Sequence, residues 1–320
     1  MKIIGTGSAH PRLTITNDML AAFLDTNDEW ITTRTGIKQR QIISDERLKD
    51  LAIDAAKQAI KKGGIDVHDI DYIICSNVVN EYVTPSLSCI IHDGIDANCP
   101  CVDINAACSG FLYGLQIAHS FQRAGVARNI LIVCAEEPTR MVDWTDRSTC
   151  VLFGDAAGAV LITEGDCMKS MRVTNMSKTD VLYEERKLEP TPYLRRNEDN
   201  VPLQMKGQEV FKTAVKASVK DIAHVIEEAG LQIDDIDHFL LHQANLRIIE
   251  AVSHLLKQDM SKFPHNVELY GNTSSASIPV LLNEMDMRGE LKDGDKIVLS
   301  AFGAGFTTGA CVIEWHSNQK

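Results

Sequence analysis

The chain has 320 residues, 44% of them apolar and 24% charged, with a formal net charge of −12 at pH 7. That balance describes a globular protein with room for one large core or two packed halves. It argues against a non-specific nucleic-acid binder, which needs a positive footprint, and no apolar run nears the roughly 20 residues that span a bilayer.

The opening "MKIIGTGS" carries too short an apolar stretch for a secretory signal, so the expected compartment is the cytoplasm. The nine cysteines are scattered, with no C-x-x-C pair and no Cys/His cluster. They read as reduced thiols with no metal site. His10, His68 and His316 read as surface positions.

Residues 51–77, "LAIDAAKQAIKKGGIDVHDIDYIICSN", predict an amphipathic helix closed at Gly64, then D-I-D, then an apolar strand. "CVDI" (101–104) predicts a strand, and "SGFLYGLQIAHSFQRAG" predicts a helix ending near Gly125. Cys108 falls at that junction. Unpaired N–H groups at a helix start favour a thiolate and lower the thiol pKa. On this stretch alone a small, buried, inert thiol is the stronger reading, since free cysteines are among the most buried residue types. Cys101, on the preceding strand, reads as an ordinary buried thiol.

"NILIVCA" and "GAVLI" (158–162) predict two further strands. The segment 164–205 is rich in charge and loop signals, and reads as a connector or cap rather than core. Residues 217–243, "ASVKDIAHVIEEAGLQIDDIDHFLLHQ", then repeat the plan of 51–77, with Gly230 closing the helix. "KIVLSAF" and "GACVI" (309–313) repeat the earlier strand pair. The common order of these echoes predicts a duplicated α/β fold. Its halves, 1–168 and 169–320, are related by a pseudo-twofold axis that brings equivalent strand ends together.

Three further features could serve Cys108. His242, in "FLLHQAN", stands where an apolar strand stops, though a satisfied core histidine fits too. Asn272, in "LYGNTSSASIP", can donate to a carbonyl without titrating, or can simply cap a helix. Gly303, Ala304 and Gly305 follow a strand, so they offer backbone N–H groups for an oxyanion or form a tight turn.

Taken together, "GTGSAHP", "NDEWITTRTGI", "INAACSG", "DRSTCVLFGDAAGAVL", "GQEVFKTAV", "HQANLRII", "YGNTSSASIP" and "AFGAGFTTGA" resemble the thiolase superfamily, specifically its type III β-ketoacyl-acyl-carrier-protein synthases. The resemblance runs nearly end to end. It implies a layered α-β-α-β-α fold and a Cys108–His242–Asn272 triad. It also implies an oxyanion hole from the N–H groups of Cys108 and Ala304. The implied reaction moves an acyl group from acyl-CoA to the cysteine and condenses it, with decarboxylation, onto a malonyl group on acyl-carrier protein. No cofactor is implied, and the partners would be the acyl carrier protein and a second copy of the chain. CoA contacts would fall to Trp30, Arg34, Arg147 and Gln208. Carrier docking would fall to Lys212, Lys216 and Arg247, with Lys220 on the same helical face. The acyl pocket would involve Thr84, Leu203, Met205 and Phe302.

Three positions depart from the family pattern. Gln208 stands for an asparagine and Ala304 for a glycine. Thr84 stands where a phenylalanine commonly closes the acyl pocket across the dimer, which implies room for primers larger than acetyl. Stretch 180–200 is also unlike the family. Three rival readings keep the fold: a condensing enzyme of specialised metabolism, a non-catalytic assembly partner, and a cysteine hydrolase. Malonyl-carrier turnover, acyl-enzyme formation and water access separate them.

Overall fold

The computed structural model describes residues 1–186, 191–195 and 199–317. Part of the unusual 180–200 stretch, 187–190 and 196–198, lies outside the described residues.

Two sheets organise the chain. The first runs Lys2–Ala9, Ala156–Thr163, Ile130–Glu136, Tyr72–Ser76, Cys101–Ile104. Its last three strands are parallel, and its first two pair antiparallel. The second runs His238–Leu241, Lys296–Gly303, Gly305–Glu314, Met168–Lys178, parallel at the first pairing and antiparallel at the next two. Four strands of each sheet therefore share one order and one set of directions. The repeat read from the sequence is a repeat of topology.

The helices make the remaining layers. Leu48–Gly63 and Leu87–Gly94 cover the outer face of the first sheet. Gly110–Arg123 and Ser277–Met287 fill the space between the sheets. Gly207–Glu228 and Leu246–Leu256 cover the outer face of the second. The result is the expected α-β-α-β-α stack. The sequence accounts for each placement. Leu48–Gly63 buries one stripe of Leu48, Leu51, Ala52, Ala55, Ala56 and Ala59. Ser277–Met287 touches both sheets and buries Ile278, Val280, Leu281, Leu282 and Met285 around its circumference.

The alanines of Leu48–Gly63 let it lie directly on the first strand. A Cβ on Gly5 would stand 2.0 Å from the Ala59 carbonyl oxygen, and one on Gly7 2.2 Å from that of Ala55. "GTG" is thus the seat of a helix.

Four expectations change. Segment 164–205 contains Met168–Lys178, a full strand of the second sheet, followed by a hairpin of Leu182–Glu185 with Val201–Met205. The strand was hidden because it forms the sheet edge and is only half buried, so its polar residues mask the pattern. Cys108 lies in a 3-10 turn, Ala107–Ser109, ahead of the helix Gly110–Arg123 rather than in its first turn. His10 is half-buried, stacked on Tyr270 at 4.1 Å, and burial lowers its pKa to about 4. Cys101 is partly exposed because its strand is a sheet edge, and its sulfur lies 3.6 Å from that of exposed Cys89.

Candidate active site

Strand ends from both halves converge on a cavity of about 950 Å³. Cys108, His242, Asn272, Gly303 and Ala304 line it at the junction of the halves, and Trp30, Arg34 and Arg147 line it elsewhere.

The Cys108 turn is pinned from both sides. Ala107 has φ +49°, and the Asn105 side-chain oxygen accepts its N–H at 3.1 Å. Thr307 of the second sheet donates to the Ala106 carbonyl at 2.9 Å, and Ser109 donates to the Thr307 carbonyl at 3.2 Å. Burial pushes the Cys108 thiol up to about 12, Glu136 adds to the rise, and a hydrogen bond with Ser274 opposes it. The lowered pKa expected at a helix start is therefore not found. Desolvation outweighs the dipole and favours the thiol over the thiolate.

His242 is 2% exposed. Its Nδ1 meets the Ser277 hydroxyl at 2.8 Å, and its Nε2 is buried with no partner among the described residues. The Ser277 oxygen already accepts the Gln243 N–H at 3.3 Å. With the Ser277 hydroxyl donating to Nδ1, the ring proton sits on Nε2, the tautomer that makes Nε2 a donor. Burial lowers the His242 pKa to about 3, so the ring is a neutral donor.

Asn272 is fixed at its backbone, donating to the Leu152 carbonyl at 2.8 Å and accepting from Gly154 at 3.1 Å. Its side-chain oxygen accepts the Ser274 N–H at 2.8 Å. Its Nδ2 is left as the donor for a ligand. Beside them, a Cβ on Gly303 would stand 2.7 Å from the Cys108 nitrogen, so the loop before Ala304 approaches the nucleophile's backbone as only glycine permits.

The other expected residues fall in three groups. The Arg34 and Arg147 guanidiniums lie 4.5 and 5.0 Å from the Trp30 ring centroid, and Asp25 holds Arg147 through its carbonyl and carboxylate. Gln208, Lys212, Arg247, Leu203, Met205 and Phe302 also line the cavity. Lys212, Lys216 and Lys220 are exposed on one face of the helix Gly207–Glu228. Thr84 stands apart: it is exposed beside Val83, which is 93% exposed, and does not line the cavity of a single chain.

Residues 102–179 match the family model for 3-oxoacyl-[acyl-carrier-protein] synthase III, and residues 226–315 match the model for its C-terminal part. Residues 37–139 also match the model of stage V sporulation protein AD. A β-ketoacyl-[acyl-carrier-protein] synthase III of Clostridium tetani is 43% identical, with 98% of each chain covered. The chain belongs to the β-ketoacyl-acyl-carrier-protein synthase III family. The solved synthase III of Aquifex aeolicus superposes at TM-score 0.92 with 39% identity, covering 98% of this chain and 99% of that one. The Thermus thermophilus synthase III superposes at 0.93 with 35% identity, covering 99% and 100%. The priming β-ketosynthase of the R1128 polyketide pathway superposes at 0.93 with 31% identity, covering 99% and 97%. A member of this family is a condensing acyltransferase with the thiolase fold, and this chain is one.

Sequence reasoning passed over Glu136, Ser274 and Ser277. Glu136 ends the strand Ile130–Glu136 and is 1% exposed. It accepts from the Ser275 hydroxyl at 2.5 Å, the Ser274 hydroxyl at 3.2 Å and the Val78 N–H at 3.1 Å. The signal was available. An acid at the end of a fully apolar strand, "ILIVCAE", is placed as His242 is, at a strand terminus.

Proposed function

We propose that Cys108 takes an acyl group from acyl-CoA and that His242 and Asn272 then drive its condensation with a malonyl group carried on acyl-carrier protein, beginning type II fatty-acid synthesis. The Cys108 thiolate attacks the thioester carbonyl. The N–H groups of Cys108 and Ala304 hold the oxyanion, and CoA leaves. The malonyl thioester carbonyl then meets His242 Nε2–H and Asn272 Nδ2–H. Both stabilise the enolate formed as carbon dioxide departs, and its carbon attacks the acyl-cysteine. Decarboxylation makes the carbanion, so a neutral histidine suffices. The observation that carries this reading is that Cys108, His242 and Asn272 line one cavity, with the His242 Nε2 buried and without a partner among the described residues.

Trp30, Arg34 and Arg147 are the proposed CoA-adenine and phosphate contacts, since planar guanidiniums stack on aromatics and grip phosphate. Lys212, Lys216 and Arg247 are the proposed docking patch for the acidic carrier, a local cationic face on an acidic chain. We place the enzyme in the cytoplasm as a homodimer that needs no cofactor. No helix among the described residues is long and apolar enough to cross a membrane. The exposed Val83 and Val102 mark the face beside the edge strand Cys101–Ile104, where a second copy would bring Thr84 to its partner's site.

Intact-mass measurement after incubation with a panel of acyl-CoAs, then with malonyl-carrier protein, tests the reading. The expected result is an adduct on Cys108 that malonyl-carrier protein removes, formed by chains longer than acetyl as well. No adduct on Cys108 with any acyl-CoA overturns the function. Acylation by acetyl-CoA alone overturns the larger primer pocket.

A further inference from the structure

Cys108 is not the only thiol placed for chemistry. Cys75, Cys134, Cys150 and Cys311 are buried and so shielded from reagents. Cys89 is exposed and Cys101 partly exposed, away from the cavity, and neither has a part in the condensation.

The backbone fixes these two sulfurs against each other. Cys101 and Asp103 are alternate residues of the edge strand Cys101–Ile104, so their side chains leave the same face of the sheet. Asp103 holds the first turn of the helix Leu87–Gly94 on that face. Its carboxylate accepts the Leu87 N–H at 2.9 Å and the Ser88 N–H at 2.8 Å. The Asn77 amide donates to the same carboxylate at 2.9 Å and keeps it in place. Cys89 is the next residue of that turn, and its sulfur lies 3.6 Å from that of Cys101. The Cys101 S–H donates to the Cys89 sulfur, and the Ser86 hydroxyl donates to it at 3.1 Å. Two hydrogens therefore converge on the sulfur that solvent reaches. Val102, between Cys101 and Asp103, leaves the opposite face, so the side chain offered to a second copy points away from the pair.

We propose that Cys89 and Cys101 are a modification site that closes into a reversible disulfide on meeting a low-molecular-weight disulfide, stapling the helix Leu87–Gly94 to the edge strand. The Cys89 thiolate attacks one sulfur of the external disulfide. A mixed disulfide forms on Cys89 and one external thiolate leaves. Cys101 gives up its proton and attacks the Cys89 sulfur, and the second external thiolate leaves. Two protein thiols are oxidised and one external disulfide is reduced to two thiols, whose hydrogens are the protons the protein released. The second attack is intramolecular and short, since the sulfurs start at 3.6 Å and need close only to the about 2.05 Å of an S–S bond. The bond closes the loop 89–101. It restricts the unfolded chain more than the folded one, where helix and strand already touch. The stapled helix begins just after Thr84, so the bond also anchors the base of the loop that carries that residue.

The test is incubation of the native, reduced protein with oxidised glutathione, followed by intact mass and peptide mapping. The expected product has lost two hydrogen atoms, carries no glutathione at either residue, and maps to a Cys89–Cys101 crosslink that dithiothreitol reverses. Cys101→Ser should instead keep glutathione on Cys89, because no second sulfur is left to displace it. The oxidised wild type should melt a few degrees higher than the reduced one. No reaction at either residue, a lasting glutathione adduct on wild-type Cys89, pairing of either residue with Cys99, or a bond between two chains overturns the proposal. A lower melting temperature after oxidation overturns it as well, since the sulfurs would then have been pulled out of their native places.

Discussion

Two turns face each other across the pseudo-twofold axis, and their differences divide the chemistry. Asn105–Gly110 and Asn272–Ser277 have one design. Each opens on an asparagine whose side-chain oxygen accepts the N–H two residues on, at 3.1 and 2.8 Å. Each then places a non-glycine residue at positive φ, Ala107 at 49° and Ser274 at 53°. Each closes with a 3-10 turn, Ala107–Ser109 or Ser274–Ala276, before a buried helix. The middle residue of that turn is Cys108 in the first half and Ser275 in the second. One half offers a nucleophile. The other offers hydroxyls that bind Glu136, while the asparagines of both turns, Asn105 and Asn272, line the cavity. A duplicated scaffold thus supplies matched geometry, and single residues set the role of each copy.

The comparison can be broken most severely at its centre. Cys108→Ser makes both turns hydroxyl-bearing and should lower acyl-enzyme formation more than 1,000-fold, read by intact mass with the melting temperature unchanged. The paired asparagines come next. Asn272→Ala should slow carrier-dependent condensation about 100-fold or more, while acylation of Cys108 persists, because it removes a donor to the developing enolate. Asn105→Ala should slow it less than about 10-fold, since its side-chain oxygen is spent on the turn and its place on the cavity wall has no assigned role in the condensation. Equal losses would mean both asparagines act alike. Trp30→Ala, away from both turns, should raise KM for acyl-CoA about tenfold with little change in kcat, the mark of lost uniform binding.

A smaller effect is thermodynamic. The folded state holds the Glu136 proton more tightly than an ordinary carboxyl, about 7 against 4.5. The folded chain therefore keeps a proton that the unfolded chain releases between those values. Its contribution to stability falls as pH rises through that window, by on the order of 3 kcal/mol. Glu136→Gln removes this dependence, so its melting temperature should gain on the wild type as pH rises from 4.5 to 7. A gap constant with pH would mean that the carboxyl titrates normally.

The sequence revealed the parts whose signal is local or repeated. The helix-glycine-strand echoes disclosed the duplication, and apolar strand ends pointed to His242 and the Gly303 loop. Met168–Lys178 escaped because an edge strand needs only a half-buried face, which left it looking like a charged connector. The raised thiol of Cys108 escaped because residues packed against its turn, Gly303 and Thr307, are distant in sequence. Glu136 escaped because it stands next to Glu137 in "CAEEPTR", and paired acids read as solvent-facing, although the two side chains go to different places.

His242 carries a last consequence. Its Nδ1 meets the Ser277 hydroxyl at the start of the helix Ser277–Met287, so the ring is held from its far side while His242 lines the cavity. The donor is aimed before any substrate arrives, and little reorganisation is left for the moment of reaction. A non-reactive malonyl thioester analogue should raise the wild-type melting temperature more than that of His242→Leu. The hydroxyl behind the ring thus sets the direction of the bond made in front of it.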